Sequence, residues 1–308
     1  MEIALYAIGI LIFLFVLPCL VITLLLFRRK TIHDFDDRLQ TDMRSYMPYL
    51  DGILGDMAHM RSLSPREISV TSADGITLKA DWYDRGGSRT AILLHGFCST
   101  PLNNFSTLGR EFYERGWNVL MVWQRGHGKS GGKFTTLGLK ESDDLLLWIA
   151  KAESLAPDSR IALYGISMGG ATVCYASNRI ESNSVRALCI DCCYTSPYDQ
   201  MCKGKGVLSV IWAPIMPLVV FFCRLILGVN IRQLTTDSLK STRIPAAFLI
   251  GLADKTVPPG FFRKNYEACA SEKILIEVKE APHALAFTAA DGEKRQRLFD
   301  FIERSFNA

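Results

Sequence analysis

Apolar residues form one long, uninterrupted run near the start of the chain, at residues 3–27. As a helix, this run of about 25 uncharged residues would reach roughly 38 Å, whereas the hydrocarbon core of a bilayer is about 30 Å thick. Glu2 rather than a basic residue precedes the run, which disfavours a cleaved signal peptide. Because Arg28, Arg29 and Lys30 follow it, the positive-inside rule predicts one transmembrane helix with the rest of the chain in the cytoplasm.

After Pro65 the pattern changes to short apolar runs that alternate with helical periodicity. The first two predicted strands are joined by an Asp-Gly hairpin turn at residues 73–75. An opening hairpin followed by strand–helix repeats predicts an α/β fold whose mostly parallel sheet has helices on both faces. The pattern places strands at 67–71, 76–82, 90–94, 118–122, 160–164, 186–190, 246–250 and 274–278, and helices at 42–60, 108–114, 137–152, 171–179 and 292–306.

These patterns divide the chain into three parts. Residues 1–30 form the predicted anchor, and residues 65–308 form the α/β domain. The polar segment between them, residues 31–64, is either a stalk or a helix packed on that domain. We therefore expect a protein of the cell membrane that crosses the bilayer once.

Composition narrows the possible functions. Hydrophobic residues make up 49% of the chain and charged residues 21%, which favours a large core over disorder. A net charge of +4 without a long basic run disfavours nucleic-acid binding. The nine cysteines are too sparse for a disulfide scaffold, and the cluster of Cys189, Cys192 and Cys193 lacks the second pair that a zinc site needs. We expect no bound metal and ordinary cysteines in a reducing compartment.

A candidate nucleophile stands out at Ser167, in the stretch Gly165-Ile166-Ser167-Met168-Gly169. This G-x-S-x-G pattern lies between a predicted strand and a predicted helix, as a nucleophile elbow does. The two glycines avoid collisions in the tight turn, which exposes the serine hydroxyl at a helix N-terminus.

A nucleophilic serine needs a base and an acid that orients the base. Of the five histidines, only His283 follows Ser167 in the chain, and it lies after the last predicted strand. Asp254 follows the preceding strand and completes the order serine, aspartate, histidine that is typical of α/β-hydrolases. Asp191, at the end of another strand, is the rival acid.

An oxyanion hole also has a predicted place. The backbone amide of Met168 and one amide of the loop after the strand at 90–94, namely that of Phe97, are the candidates. Gly96 would let this loop approach a substrate closely.

In these motifs the chain resembles the α/β-hydrolase family, over roughly residues 65–308. Within that family it resembles the bacterial membrane-anchored, serine-aminopeptidase-like hydrolases. The resemblance implies a Ser167–His283–Asp254 triad, an oxyanion hole at Phe97 and Met168, and no cofactor. The matching stretches are LLHGF, VLMVWQRGHGKSGG, YGISMGGA, GLADKTVP and APHA.

One position departs from this resemblance. Relatives often carry an aspartate where this chain has Trp123, just before the QRGHG stretch. The change affects the local loop and the partner of Arg125, and we interpret Arg125 and His127 as structural residues.

A second apolar run, residues 206–228, is almost long enough to span a bilayer. A crossing there would put Ser167 and His283 on opposite sides of the membrane, so a working triad excludes it. We expect a cap insertion at residues 195–242 whose helix is broken by Pro214 and Pro217. Two interpretations stay open: a lid that forms an apolar acyl pocket and touches the membrane surface, or a cap helix packed on the core.

The sequence therefore predicts a serine hydrolase that cleaves a small-molecule carboxylic ester or thioester with an apolar acyl group. A serine peptidase or aminopeptidase is the first alternative. Only Asp199 and Asp237 are available in the cap to bind a free amine, and the HGGxG pattern of proline-specific relatives is absent. An inactive membrane-bound scaffold is the second alternative.

Overall fold

The sheet that the sequence predicts is present, with eight strands in the order β1-β2-β4-β3-β5-β6-β7-β8. The computed structural model describes residues 6, 9, 12–29, 34, 45–203 and 209–307. β1 and β2 pair antiparallel with each other and β2 with β4, and all later pairs are parallel. The strands are β1 Arg66–Thr71, β2 Thr77–Tyr83, β3 Arg89–Leu94, β4 Asn118–Trp123, β5 Arg160–Ile166, β6 Val185–Asp191, β7 Ala246–Gly251 and β8 Lys273–Val278.

Helices cover both faces of this sheet, and each face has its own apolar core. Ile92 and Leu94 of β3 point into one core, with Leu145 and Trp148, whereas Leu93 points into the other. This alternation follows from the period of two along a strand. The helices are α1 Leu17–Phe27, α2 Leu50–Ser62, α3 Pro101–Glu114, α4 Glu141–Leu155, α5 Met168–Ala176, α6 Pro197–Cys202, α7 Ser209–Phe222, α8 Thr235–Leu239, α9 Pro259–Ala268, α10 Ala286–Ala289 and α11 Gly292–Asn307.

The N-terminal helix α1 packs against α7 of the cap and against the α/β domain. Cys19, Thr23 and Phe27 are buried, and the Phe27 carbonyl accepts a hydrogen bond from the Thr135 amide at 2.9 Å. The other side of α1 exposes apolar side chains, including Leu25. Ten residues of the predicted anchor, all but one of them before Ile12, lie outside the described residues, and in the part that the structure describes no helix has the length and apolar character to span a membrane.

The polar segment that precedes the domain contributes packed structure. The predicted helix at 42–60 is wrong at its start, because Met47–Tyr49 form a 3-10 turn and α2 begins at Leu50; residues 42–44 lie outside the described residues. Pro48 at the start of this turn agrees with the preference of proline for the first turn of a helix. α2 then packs against α3, so this part of the segment lies on the α/β domain.

The expected break in the cap helix is also wrong, because α7 continues through Pro214 and Pro217. Both prolines lie on the exposed side of the helix, whereas Met216 and Val219 on the opposite side are buried in the core. Packing of the buried side therefore outweighs the hydrogen bonds that the prolines cannot donate. A π-helical turn, Cys223–Leu227, follows α7, and residues 204–208 before it lie outside the described residues.

Candidate active site

Ser167 occupies a sharp turn between β5 and α5. Its backbone has φ 55° and ψ −110°, a conformation that is strained for any residue other than glycine. A Cβ atom added at Gly165 would overlap the carbonyl of Gly169, and one added at Gly169 would lie 2.5 Å from the Leu94 carbonyl carbon. Only glycine fits at both positions, so the turn of the predicted elbow depends on the G-x-S-x-G spacing.

His283 and Asp254 meet Ser167 at the carboxyl edge of the sheet. His283 Nε2 lies 3.1 Å from Ser167 Oγ, and His283 Nδ1 lies 2.7 Å from Asp254 Oδ2. The loop after β7 carries Asp254, whose Oδ1 accepts hydrogen bonds from the amides of Thr256 at 2.7 Å and Val257 at 2.9 Å. Because both carboxylate oxygens are bonded, Asp254 is held in one orientation toward the imidazole.

Asp191, the rival acid, does not bond His283 but lies beneath the elbow. Its side chain is fully buried, and its Oδ2 accepts a hydrogen bond from the Tyr164 hydroxyl at 3.0 Å. Its backbone carbonyl accepts the amide hydrogen of Ser167 at 2.8 Å. Burial, together with a smaller contribution from the nearby Asp254 carboxylate, raises the pKa of Asp191 to about 7, although the hydrogen bonds to this carboxyl group lower it.

The loop of the predicted oxyanion hole borders the serine. A Cβ atom at Gly96 would lie 3.5 Å from Ser167 Cβ, and the Gly96 amide donates to Asn104 Oδ1 at 2.7 Å. Within the described residues, no acceptor is bonded to the backbone amide of Phe97 or of Met168. Their part in an oxyanion hole stays a prediction.

The QRGHG stretch is tied into the fold by buried polar contacts. Arg125 donates to both oxygens of Asp144 at 2.6 Å and to Asp74 at 2.9 Å, which answers the question of its partner. Trp123 donates from its indole to Asp81 Oδ2 at 2.8 Å. These contacts involve the hairpin turn, β2 and α4.

Two of the other histidines are also held inside this region. His95 Nε2 accepts the Gln124 amide at 3.1 Å, and burial lowers the pKa of His95 to about 3, so its ring is neutral. His127 Nε2 accepts the Cys98 amide at 3.3 Å, next to Phe97. Both rings therefore act as hydrogen-bond acceptors that fix the loops on either side of the elbow.

Cys192 is a neighbour of the site that the sequence did not single out. Its thiol and the facing atoms of Asp254 and His283 lie within 4.8 Å of one another. Burial raises the pKa of Cys192 well above its ordinary value, and a thiol is a poor metal ligand until it is deprotonated. Since the other two groups are bonded to each other, this cluster does not resemble a prepared metal site.

A cavity of about 690 Å³ opens beside His283. It is lined by residues of three segments, 45–49, 253–256 and 280–283. The first of these precedes the α/β domain, and nothing in its sequence, Ser45-Tyr46-Met47-Pro48-Tyr49, marks it as part of a site. A larger cavity of about 1130 Å³ lies between α1 and the β1–β2 hairpin, but none of the candidate site residues lines it.

The chain is similar to a known protein family and to proteins of other organisms. Residues 88–220 match the family model described as serine aminopeptidase, S33. The chain is 26% identical to the protein YqkD of Bacillus subtilis over 221 residues, which is 70% of this chain and 71% of that protein. It is 27% identical to the membrane protein YNL320W of Saccharomyces cerevisiae over 232 residues, 74% and 76% of the two chains.

A solved structure gives the same result for the fold. The esterase Pf2001 of Pyrococcus furiosus superposes with a TM-score of 0.61 and 25% identity, over 79% of this chain and 93% of that one. Its match covers a larger share of the chain than the family model does. From its sheet, its serine elbow and these likenesses, we conclude that the chain has the α/β-hydrolase fold, is similar to the serine-aminopeptidase-like hydrolases and is itself a hydrolase.

Proposed function

We propose that this chain is a serine hydrolase that cleaves a small-molecule carboxylic ester or thioester with an apolar acyl group through an acyl-enzyme. The hydrogen-bonded series from Ser167 Oγ to His283 to Asp254 carries this proposal, because it joins a nucleophile, a base and an orienting acid. The strained turn at Ser167 and the unbonded amides beside it supply the other parts that acyl transfer needs.

The mechanism follows from these positions. His283 Nε2 removes the proton from Ser167 Oγ as the oxygen attacks the acyl carbonyl, while Asp254 holds the Nδ1–H tautomer and stabilises the imidazolium. The amides of Phe97 and Met168 bind the oxyanion. His283 then protonates the leaving alcohol or thiol. In the second half, it deprotonates a water molecule that attacks the acyl-enzyme and releases the acid.

Two observations favour an ester or thioester over a peptide bond. The structural relative from Pyrococcus furiosus is an esterase. The two cap carboxylates that could bind the free amine of a peptide are engaged: Asp199 accepts from Thr195 Oγ1 at 2.6 Å, and Asp237 pairs with Lys240 at 3.2 Å.

A serine aminopeptidase remains the second candidate. The matching family model carries that description, and Glu280 lines the cavity beside His283, where a carboxylate could receive a substrate amine. A non-catalytic scaffold is not retained, because the family and the fold are those of hydrolases.

We also propose that the hydrolase is held at the cell membrane by its N-terminal helix, with the α/β domain in the cytoplasm. Support comes from the apolar run at 3–27 and from the exposed side chains Phe13, Leu14 and Leu25. The relative from Saccharomyces cerevisiae is named a membrane protein. A reporter fused to the C-terminus tests this arrangement, and reporter activity confined to the outer face would contradict the orientation.

The test of activity compares the parent chain with Ser167→Ala, both purified in detergent. The substrates are p-nitrophenyl acyl esters of rising chain length and, in parallel, aminoacyl p-nitroanilides. Ester turnover that falls by up to about 10⁶-fold in the variant would support the proposal. Turnover of the anilides alone would replace it with the aminopeptidase, and turnover that survives in Ser167→Ala would contradict both.

A further inference from the structure

The segment Ser45–Tyr49, which precedes the α/β domain, contacts the loop that carries the candidate base. The hydroxyl of Tyr46 donates a hydrogen bond to the backbone carbonyl of His283 at 3.3 Å. The two residues are 237 positions apart in the chain, so only the tertiary fold brings them together. No other described segment N-terminal to β1 lines the cavity beside His283.

The segment is fixed in place by its own small apolar cluster. Tyr46 and Tyr49 pack against buried Ile53 and Met57 of α2 and against Leu285. Leu285 comes two residues after His283, so the same cluster holds both the segment and the histidine loop. α2 is in turn packed on α3, which belongs to the domain core.

The histidine loop needs this support because its backbone is strained. Ala284, directly after His283, has φ 65°, a left-handed conformation that costs a residue with a Cβ atom about 1 kcal/mol or more. A strained residue persists only where its surroundings hold it in place. The Tyr46 hydroxyl on one side of Ala284 and the buried Leu285 side chain on the other provide such a hold.

The hydroxyl stays a hydrogen-bond donor over the whole physiological pH range. Burial raises the pKa of Tyr46 above its ordinary value, and the nearby Asp254 carboxylate also raises it.

We propose that the segment Ser45–Tyr49 completes the active site, with Tyr46 as a positioning residue for His283 and with the segment as the wall that limits the substrate group beside it. This inference rests on the proposed function above. The lining of the cavity supports the second part: Tyr46, Pro48 and Tyr49 line a space of about 690 Å³ together with Thr256 and Pro282. Lys255 and Glu280 also line this space, so it is the part formed by the three ring side chains that favours an aryl or acyl group.

The positioning role is tested by Tyr46→Phe, which removes the hydroxyl and keeps the ring. Loss of one neutral hydrogen bond to the loop should lower kcat about 3- to 10-fold and leave KM unchanged, because substrate contacts remain. Tyr113→Phe is the matched control, since Tyr113 lies on α3 under Arg85 and away from the cavity. Equal kcat values in the parent and in Tyr46→Phe would overturn this role.

The wall is tested separately by Tyr49→Ala. The enlarged cavity should favour esters with bulkier groups. The ratio of KM for a small ester to KM for a large ester should therefore be about tenfold higher in the variant than in the parent. An unchanged order of substrates would overturn the second part of the proposal. The melting temperature of each variant separates these effects from loss of folding.

A readout that needs no turnover keeps the positioning role apart from the proposed function. In chains labelled with ¹⁵N-histidine, proton NMR follows the solvent exchange of the His283 Nδ1 proton, with His283→Gln used for assignment. Faster exchange in Tyr46→Phe than in the parent and in Tyr113→Phe supports positioning, and equal rates overturn it. If the parent shows no turnover that depends on Ser167, the proposed function fails while this measurement still decides on Tyr46.

Discussion

Replacing Asp191 by asparagine should flatten the dependence of stability on pH. Asp191 is fully buried beneath the serine elbow, and burial raises its pKa from an ordinary value of 3.8 to about 7. The folded chain therefore holds this proton more tightly than the unfolded chain does. Between pH 3.8 and about 7 the folded state binds more protons, so the free energy of unfolding falls as pH rises through this window.

The size of the effect follows from the shift. A difference of about three pKa units corresponds to about 4 kcal/mol, fully lost from the stability above pH 7. Roughly 2 to 3 kcal/mol of this falls between pH 5 and pH 8. Asparagine keeps an acceptor for the Tyr164 hydroxyl at the same place but carries no ionisable group. It therefore removes the part of the pH dependence of the free energy of unfolding that Asp191 causes.

The assay is urea unfolding of the parent and of Asp191→Asn in the same mild detergent at pH 5, 6, 7 and 8. At each pH, the free energy of unfolding of the parent is subtracted from that of the variant, which cancels the titration of all other groups. This difference should increase by about 2 to 3 kcal/mol from pH 5 to pH 8, because only the parent loses stability. Asp237→Asn serves as the control, because that carboxylate is exposed and the exchange should leave the slope of the parent unchanged.

If the free energy of unfolding changed with pH in the same way in the parent and in Asp191→Asn, this reasoning would be refuted. It would mean that Asp191 is already ionised in the folded chain at pH 5. Its hydrogen bond from Tyr164 would then outweigh the cost of burial. A fixed offset between the curves is no objection, because the new amide N–H adds its own contacts at every pH.

Two further substitutions test the geometry of the elbow and of the acid. Gly169→Ala would place its Cβ 2.5 Å from the Leu94 carbonyl carbon, and the backbone cannot move aside as a flexible side chain can. We therefore expect the free energy of unfolding, measured in urea, to fall by about 3 kcal/mol or more. A fall of less than about 1 kcal/mol would contradict the tight turn. Asp254→Asn should lower kcat by about 10⁴-fold with folding intact, because the amide favours the wrong tautomer of His283, and near-parental ester turnover would exclude Asp254 as the orienting acid.

The strands could be predicted from sequence because of where they lie. Parallel strands with helices on both faces are buried on both sides, so β4 and β7 are buried along their whole length and, apart from Asn118, contain no polar side chain. β5 extends to Ile166, two residues beyond the predicted end, because the strand continues directly into the sharp turn at Ser167. The Ser167 motif, Asp254 and His283 were found by the same logic, as each follows a strand.

Residues that meet only through tertiary contacts had no such local signal. Tyr46 contacts the carbonyl of His283, yet its own segment has no periodicity that links it to a histidine at the far end of the chain. Cys192 looked like an ordinary core cysteine, and it is buried, but its place beside Asp254 depends on how β6 and β7 end next to each other. Local patterns therefore identify the groups on strand ends better than the groups that surround them.

The two apolar runs were considered separately in the sequence, but in the structure they meet. α1 packs against α7, so the N-terminal helix and the cap helix form one unit on the side of the domain. Both keep exposed apolar side chains beyond this contact, Leu25 on α1 and Phe221 and Leu225 at the end of the cap helix. If the N-terminal run is held in a bilayer, as we propose, the cap helix has to stay beside it, because separating the two would expose the surfaces that they now bury against each other. Beside a membrane-held α1, the second apolar run would then lie at the bilayer without crossing it.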